Sequence, residues 1–225
     1  MLLTEYIEHH LDTTSPVFTD DDLVVEALAL MEEDGLDCAP VLHEGNIRAM
    51  VTIHDLLPAQ HSKKRLKELK LEHAESIGLH EHLFEIIARM GSFLCAVIPV
   101  SEEDGHYVGV VEKAVLLEQL NDIFHLGEGA VTLELDVPAY DLKLSEVIAT
   151  FEKNDATVLS CGMYPAAPEG VGMVLTFRLQ THDLFRLVTN LEKYGYLIRY
   201  TSPFFREKDD TMREKALEVM RFMEM

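Results

Sequence analysis

The feature that most constrains this 225-residue chain is a degenerate internal repeat in its first half. Ala39-Pro40-Val41-Leu42, Gly45 and then Ala49 through Leu57 form one copy. Ile98-Pro99-Val100-Ser101, Gly105 and then Gly109 through Leu117 form the other. Pro40 recurs as Pro99, 59 residues later, and a one-residue longer turn makes the later offset 60. Two copies of one pattern imply two similar units packed together, with the seam between them as the natural place for a site. The copies differ where they are polar, because Thr52 corresponds to Glu112 and Asp55 to Val115. Any pair of sites built on this repeat is therefore unequal.

Periodicity gives both copies the same order of elements. A short helix is expected over residues 2–11, followed by an extended entry at 15–19, where Pro16 disfavours helix before it. Thr19 or Asp20 caps the next helix, whose first turn carries Asp20, Asp21 and Asp22 and whose apolar stripe is Leu23, Ala27, Leu30 and Met31. Gly35 ends it; Cys38–Leu42 is a buried strand, 44–46 a hairpin turn and 47–52 the returning strand. Asp55-Leu56-Leu57 opens a second helix. In the second copy a helix over 79–90 buries Leu83, Ile86, Ile87 and Met90. Strands follow at 94–100 and 107–111, then a helix at 113–124. The basic run Lys63 to Lys70 between the copies reads as a solvated linker helix, with a phosphate-facing patch beside the seam as the alternative.

Beyond the paired glycines of Leu126-Gly127-Glu128-Gly129 the pattern changes. Strands at 130–137, 157–163, 172–179 and 196–200 alternate with helices at 142–153 and 182–194. That β-α-β-β-α-β order is ferredoxin-like. In the first of these helices Leu144, Val147, Ile148 and Phe151 are expected to face inward. A tail helix over 209–225 places Met212, Ala216, Val219, Met220 and Met223 on one side, a stripe suited to packing on its own chain or on a sister subunit.

The repeated β-α-β-β-α unit resembles a tandem pair of CBS domains, on the strength of Glu26 to Met31 leading to Ala39-Pro40-Val41, and of Val51-Thr52-x-x-Asp55-Leu56-Leu57. Family members typically carry a glycine two residues before that valine; Ala49 departs from this, Gly109 does not. Residues 130–200 resemble an ACT domain, with Leu135 to Pro138 as the first-strand exit and Leu191 to Tyr196 as the last turn. The CBS-CBS-ACT order is similar to that of acetoin-utilisation (AcuB-type) CBS-domain proteins. The expected fold is α+β, comprising a tandem CBS pair within 1–126 (copies at about 12–60 and 70–125), an ACT-like domain at 130–200 and a tail with an amphipathic helix at 201–225.

For the site, the resemblance implies ligand contact by Thr52 and Asp55. The Thr52 hydroxyl and nearby N–H groups can donate to a phosphate where strand hands over to helix, and a carboxylate at Asp55 can accept from both ribose hydroxyls. Adenine would lie near Val17, Cys38 and Ala39. The alternative is that Thr52 and Asp55 only cap the short helix. Candidate ligands are AMP, ADP, ATP and S-adenosylmethionine. In the second copy Glu112 would oppose a phosphate and Val115 cannot hold a ribose. In the ACT-like segment Ala139 and Tyr140 stand where close backbone approach by an amino acid is needed, so oligomerisation through side-by-side sheets is the expected role.

Net charge is −21, from 40 acidic against 19 basic residues, which argues against nucleic acid and anionic membrane surfaces as partners. No apolar run approaches the ~20 residues of a membrane span, and the start lacks the basic region of a signal peptide, giving an expected cytoplasmic location. Cys38, Cys95 and Cys161 lack metal spacing and read as reduced thiols. The eleven histidines show no paired-ligand spacing, and no nucleophile elbow or phosphate loop is present. The sequence thus points to a non-catalytic, homodimeric regulatory sensor with a regulated protein partner. A ligand-free interaction scaffold is the second reading.

Overall fold

A computed structural model describes residues 3, 6–138, 142–167 and 172–202. They belong to two compact units, Met1–Gln119 and Leu120–Met225. The expectations for Ala139 and Tyr140 and for the tail helix lie outside the described residues.

Unit 1 begins with α1 (Tyr6–His9) and then writes one motif twice. The first copy is β1 (Phe18–Thr19), α2 (Val24–Asp34), β2 (Cys38–His43), β3 (Asn46–Thr52) and α3 (Ile53–Leu56). The second is β4 (Ile77–Gly78), α4 (Leu83–Ala88), β5 (Val97–Ser101), β6 (Tyr107–Glu112) and α5 (Lys113–Ile123), a helix that runs on past the Gln119 boundary. Each copy forms a three-stranded sheet whose first pair is parallel and whose second is an antiparallel hairpin. The repeat extends to irregularities, since the hairpin register slips after Val41 in one copy and after Val100 in the other. In the first hairpin Glu44 and Gly45 both take positive φ (50° and 84°), the two-residue turn whose twist matches the strands. A Cβ on Gly45 would meet the His106 ring at 2.7 Å, so the turn of one copy abuts the hairpin of the other.

Helix α2 buries Val24, Ala27, Leu28 and Met31, an i, i+3, i+4, i+7 stripe, while Leu30 falls on the far side at 39% exposed and leaves the predicted stripe. Gly35 closes it in the left-handed region, its N–H donating to the Met31 carbonyl. The expected side-chain cap at Thr19 or Asp20 is replaced by backbone. Val24 N–H donates to Lys64 O (3.0 Å), Leu66 N–H to Asp22 O (3.0 Å) and Lys67 N–H to Asp20 O (2.8 Å). This pairing also explains why the basic run is no helix but a single 3-10 turn at Leu66–Glu68. Its backbone groups are committed to the entry of α2, and Lys67 pairs with Asp21 at 2.6 Å. Helix α4 is shorter than predicted, starting where His82 Nδ1 accepts from Phe84 N–H (3.1 Å) and giving way to a 3-10 turn at Met90–Ser92. Leu83 and Ile86 are fully buried, whereas Met90 is only partly so.

Unit 2 has the order β7 (Val131–Pro138), α6 (Leu144–Glu152), β8 (Ala156–Pro165), β9 (Gly172–Thr181), α7 (Leu184–Lys193) and β10 (Leu197–Thr201). The sheet order β10-β7-β9-β8, antiparallel throughout, is the ferredoxin-like arrangement. Phe151 of α6 meets Phe177 of β9 edge-on, with ring centroids 4.7 Å apart, inside a core completed by Leu133, Leu135, Leu187 and Leu191. Leu144, expected inward, sits at the half-exposed start of α6, leaving Val147 and Phe151 as its buried residues. Asp183 caps α7 by accepting from Arg186 N–H at 3.0 Å.

Candidate functional site

Unit 1 contains a cavity of about 500 Å³, within the range that holds a nucleoside-sized ligand. Three segments build it. The end of β3 and the start of α3 supply Met50, Thr52 and Asp55; the chain between the copies supplies Lys70 and residues 72–75; the irregular stretch before β5 and that strand itself supply Ser92 to Cys95, Val97 and Pro99. The inter-copy chain is held across β3 by its backbone. His73 bridges to Ala49, its Nδ1 lies 3.1 Å from Arg48 O, and Ala74 N–H donates to the same carbonyl at 3.4 Å. Phe93 is fixed partly by Lys113, whose ammonium donates to the Phe93 carbonyl, and partly by the Arg89 guanidinium 5.4 Å from its ring centroid.

Thr52 and Asp55 are together on this wall, and they engage each other. Asp55 Oδ2 accepts from Thr52 N–H (2.9 Å) and from the Thr52 hydroxyl (2.7 Å), and Thr52 Oγ1 accepts from Asp55 N–H (3.3 Å). This reciprocal capping box starts α3. It uses both lone pairs of Oδ2 and leaves Oδ1 free to accept. The Thr52 hydroxyl proton is already committed, and α3 is a four-residue helix with little dipole, so the arrangement offers less to a phosphate than the sequence suggests. Val17 (42% exposed) and Ala39 (1%) do not line the cavity. Cys38 does not line it either, but its thiol contacts that of Cys95, which does.

The wall is mildly acidic. Asp55, Glu72 and Glu75 face Lys70 and His73, and Glu75 is in turn held by the Ser92 hydroxyl (2.7 Å) and by Arg89 at 3.7 Å. The remaining surface is apolar, from Met50, Phe93, Leu94, Val97 and Pro99. Leu94 is 90% exposed, an unusual position for a leucine in a folded unit. Sequence reasoning does not single out Lys70, His73, Phe93 and Cys95 as ligand residues, because they come from the inter-copy chain and a non-periodic segment. The one available signal is the position of the basic run beside the seam.

The second copy is built differently at the matching positions. The N-terminal segment runs across β6 as the inter-copy chain runs across β3, with Asp12 N–H donating to Val110 O (2.8 Å) and Val110 N–H to Asp12 O (2.9 Å). A Cβ at Gly109 would lie 2.7 Å from Asp12 O, which is why glycine stands here and alanine suffices at 49. Tyr6 is buried, and its hydroxyl donates to the Val115 carbonyl at 3.0 Å. The Asp12 carboxylate accepts from Ser15 and Thr14, and these hydrogen bonds pull its pKa to about 2.

Residues 9–62 match the family model described as the CBS domain. Over 96 residues (42% of this chain) there is 29% identity to the glycine betaine/proline betaine transport system ATP-binding protein ProV of Escherichia coli (strain K12), of which the chain spans 24%. A CBS domain pair/ACT domain protein from Thermotoga maritima is similar over 52% of this chain and 96% of its own, with 18% identity and a TM-score of 0.46. The structure of CbpB in complex with c-di-AMP is similar over 55% of this chain and 89% of its own, with 16% identity and a TM-score of 0.46. No helix among the described residues is long and apolar enough to cross a membrane.

Proposed function

We propose that unit 1 is a tandem CBS pair that binds one adenosine-containing ligand in the cavity at Thr52 and Asp55. The observation that carries this reading is a nucleoside-sized cavity lined both by Asp55, whose Oδ1 takes no part in the capping box, and by an apolar wall that includes Phe93. A ribose diol needs strong acceptors, and adenine needs flat apolar contact. The matched CBS model over 9–62 includes both Thr52 and Asp55. Val17, Cys38 and Ala39 belong to the site only if it extends beyond the cavity wall.

Charge selects among adenosine compounds. At an effective dielectric of about 20, each phosphate charge about 6 Å from an uncompensated carboxylate costs about 3 kcal/mol, and Lys70 can offset one such pair. The overall charge of −21 adds to the repulsion. The expected order is therefore S-adenosylmethionine and adenosine before AMP, and AMP before ADP and ATP. The protein is read as a non-catalytic, cytoplasmic sensor of the AcuB type. Binding favours one arrangement of the chain and passes that state to an ACT-like unit 2 or a regulated partner. Homodimerisation through the sheet edges of unit 2 fits the ten-residue edge strand β8, which carries exposed Met163 and Tyr164.

A thermal-shift panel with these five ligands on the reduced protein tests the reading, which is sunk if no adenosine compound raises the midpoint at millimolar concentration. The second reading, a ligand-free scaffold, is favoured by one observation, that Thr52 and Asp55 already satisfy each other as a capping box.

A further inference from the structure

Cys38 and Cys95 are 57 positions apart in sequence and come from different copies of the repeat. Cys38 opens β2, and Cys95 precedes β5. Under the repeat offset Cys38 corresponds to Val97, and the amides of Ala96 and Val97 are the backbone groups that donate to the Cys38 sulfur. Equivalent strand starts thus meet face to face, as expected around an approximate two-fold axis. This places one thiol from each copy in contact, and both are free.

The two thiols are not alike. Cys38, receiving hydrogen bonds from Cys95 and from two amides, is pulled below the ordinary thiol value, which favours its thiolate. Cys95 is pushed up because it holds its proton toward that thiolate and is itself buried, although Lys113 acts in the opposite sense. Cys95 forms part of the cavity wall, so a small peroxide that enters the cavity reaches the pair.

We propose that Cys38 and Cys95 are a thiol–disulfide switch that joins the two copies of unit 1 at the wall of the cavity. The oxidant is a small peroxide. The Cys38 thiolate attacks one peroxide oxygen, the O–O bond breaks, and hydroxide leaves and is protonated to water. The product is a sulfenic acid on Cys38, whose sulfur has lost two electrons to the peroxide. With the neighbouring negative charge gone, Cys95 no longer has its proton held by a thiolate. Its sulfur attacks that of Cys38, the S–O bond breaks, and hydroxide leaves with the Cys95 proton as a second water. Dithiols reverse the step by exchange. The switch goes beyond the ligand reading and does not depend on it.

The test uses the full chain carrying Cys161→Ser, which removes the exposed third thiol. The reduced protein is exposed to hydrogen peroxide, quenched, unfolded and alkylated, then digested for mass spectrometry. The expected result is loss of both alkylatable thiols, a Cys38–Cys95 linked peptide pair within one chain, and full recovery with dithiothreitol. Adding Cys38→Ser or Cys95→Ser must abolish the linked pair. The oxidised protein is expected to melt about 5 °C or more above the reduced one, because the bond closes a long loop. The proposal is overturned if both thiols remain alkylatable after a treatment that oxidises the unfolded chain. Links found only between chains, or identical melting of the oxidised and reduced forms, would overturn it as well.

Discussion

Asp55→Asn separates the two roles assigned to the Thr52–Asp55 pair. The amide oxygen of the substituted side chain can still accept from Thr52 N–H and from the Thr52 hydroxyl, and the backbone N–H at that position still reaches Thr52 Oγ1, so the capping box survives in neutral form. Charge-assisted hydrogen bonds are about twice as strong as neutral ones, so the loss at this exposed pair is about 0.5 kcal/mol. That corresponds to about 2–3 °C in the melting of a unit this size. Oδ1, which accepts none of the capping hydrogen bonds, is by contrast replaced by an NH₂ donor on a cavity-lining residue. A ribose diol then loses its charged acceptor, at a cost of about 1.5–3 kcal/mol, or roughly 10–150-fold in affinity. Titration calorimetry with adenosine, alongside calorimetric melting of the unliganded variant, reads both numbers. Affinity within about threefold of wild type, with the small stability loss present, would refute the ribose role and leave a cap alone.

Three further perturbations follow from the packing. Gly109→Ala forces a Cβ against the Asp12 carbonyl and should destabilise unit 1 by about 1–3 kcal/mol, whereas Ala49→Gly should cost about 1 kcal/mol or less; paired thermal melts compare them. Phe177→Ala removes one partner of the Phe151 contact and should cost about 3–5 kcal/mol, read as early loss of protection in unit 2 by hydrogen exchange. The folded pKa of Asp12, about 2, lies below the ordinary aspartate value of 3.8, so its stabilising contribution is complete above about pH 4 and is lost as pH falls through 2. Protection of the Asp12 and Val110 amides, taken relative to their intrinsic exchange rates, should therefore fall across that window, and Asp12→Asn should abolish that fall.

Most of the architecture is legible because the repeat is written in local signals. Gly35, the Glu44-Gly45 turn and the apolar stripes mark ends and faces that tertiary contacts then respect. Leu30 is misplaced by sequence reasoning because a leucine on the far side of α2 has the same composition signal as one on the near side; only the register of Val24, Ala27, Leu28 and Met31 distinguishes them. The basic run looks helical because its lysines and leucines are good helix formers. Its backbone pairs with Asp20, Asp22 and Val24 instead, a long-range commitment that propensity cannot encode. At the site, Thr52 and Asp55 are visible because they sit three residues apart at an element boundary. Lys70, His73 and Phe93 reach the same wall from irregular chain, and Cys38 meets Cys95 only through the approximate symmetry of the two copies.

The most direct measurement is a two-dimensional amide spectrum of the ¹⁵N-labelled, reduced full chain titrated with adenosine. Saturable shifts confined to Thr52, Asp55, His73 and the segment from Phe93 to Cys95, with Glu112 and Val115 still, are the predicted result. Shifts at Glu112 and Val115 instead, or an unchanged spectrum at millimolar adenosine, would contradict the claim of a single unequal site.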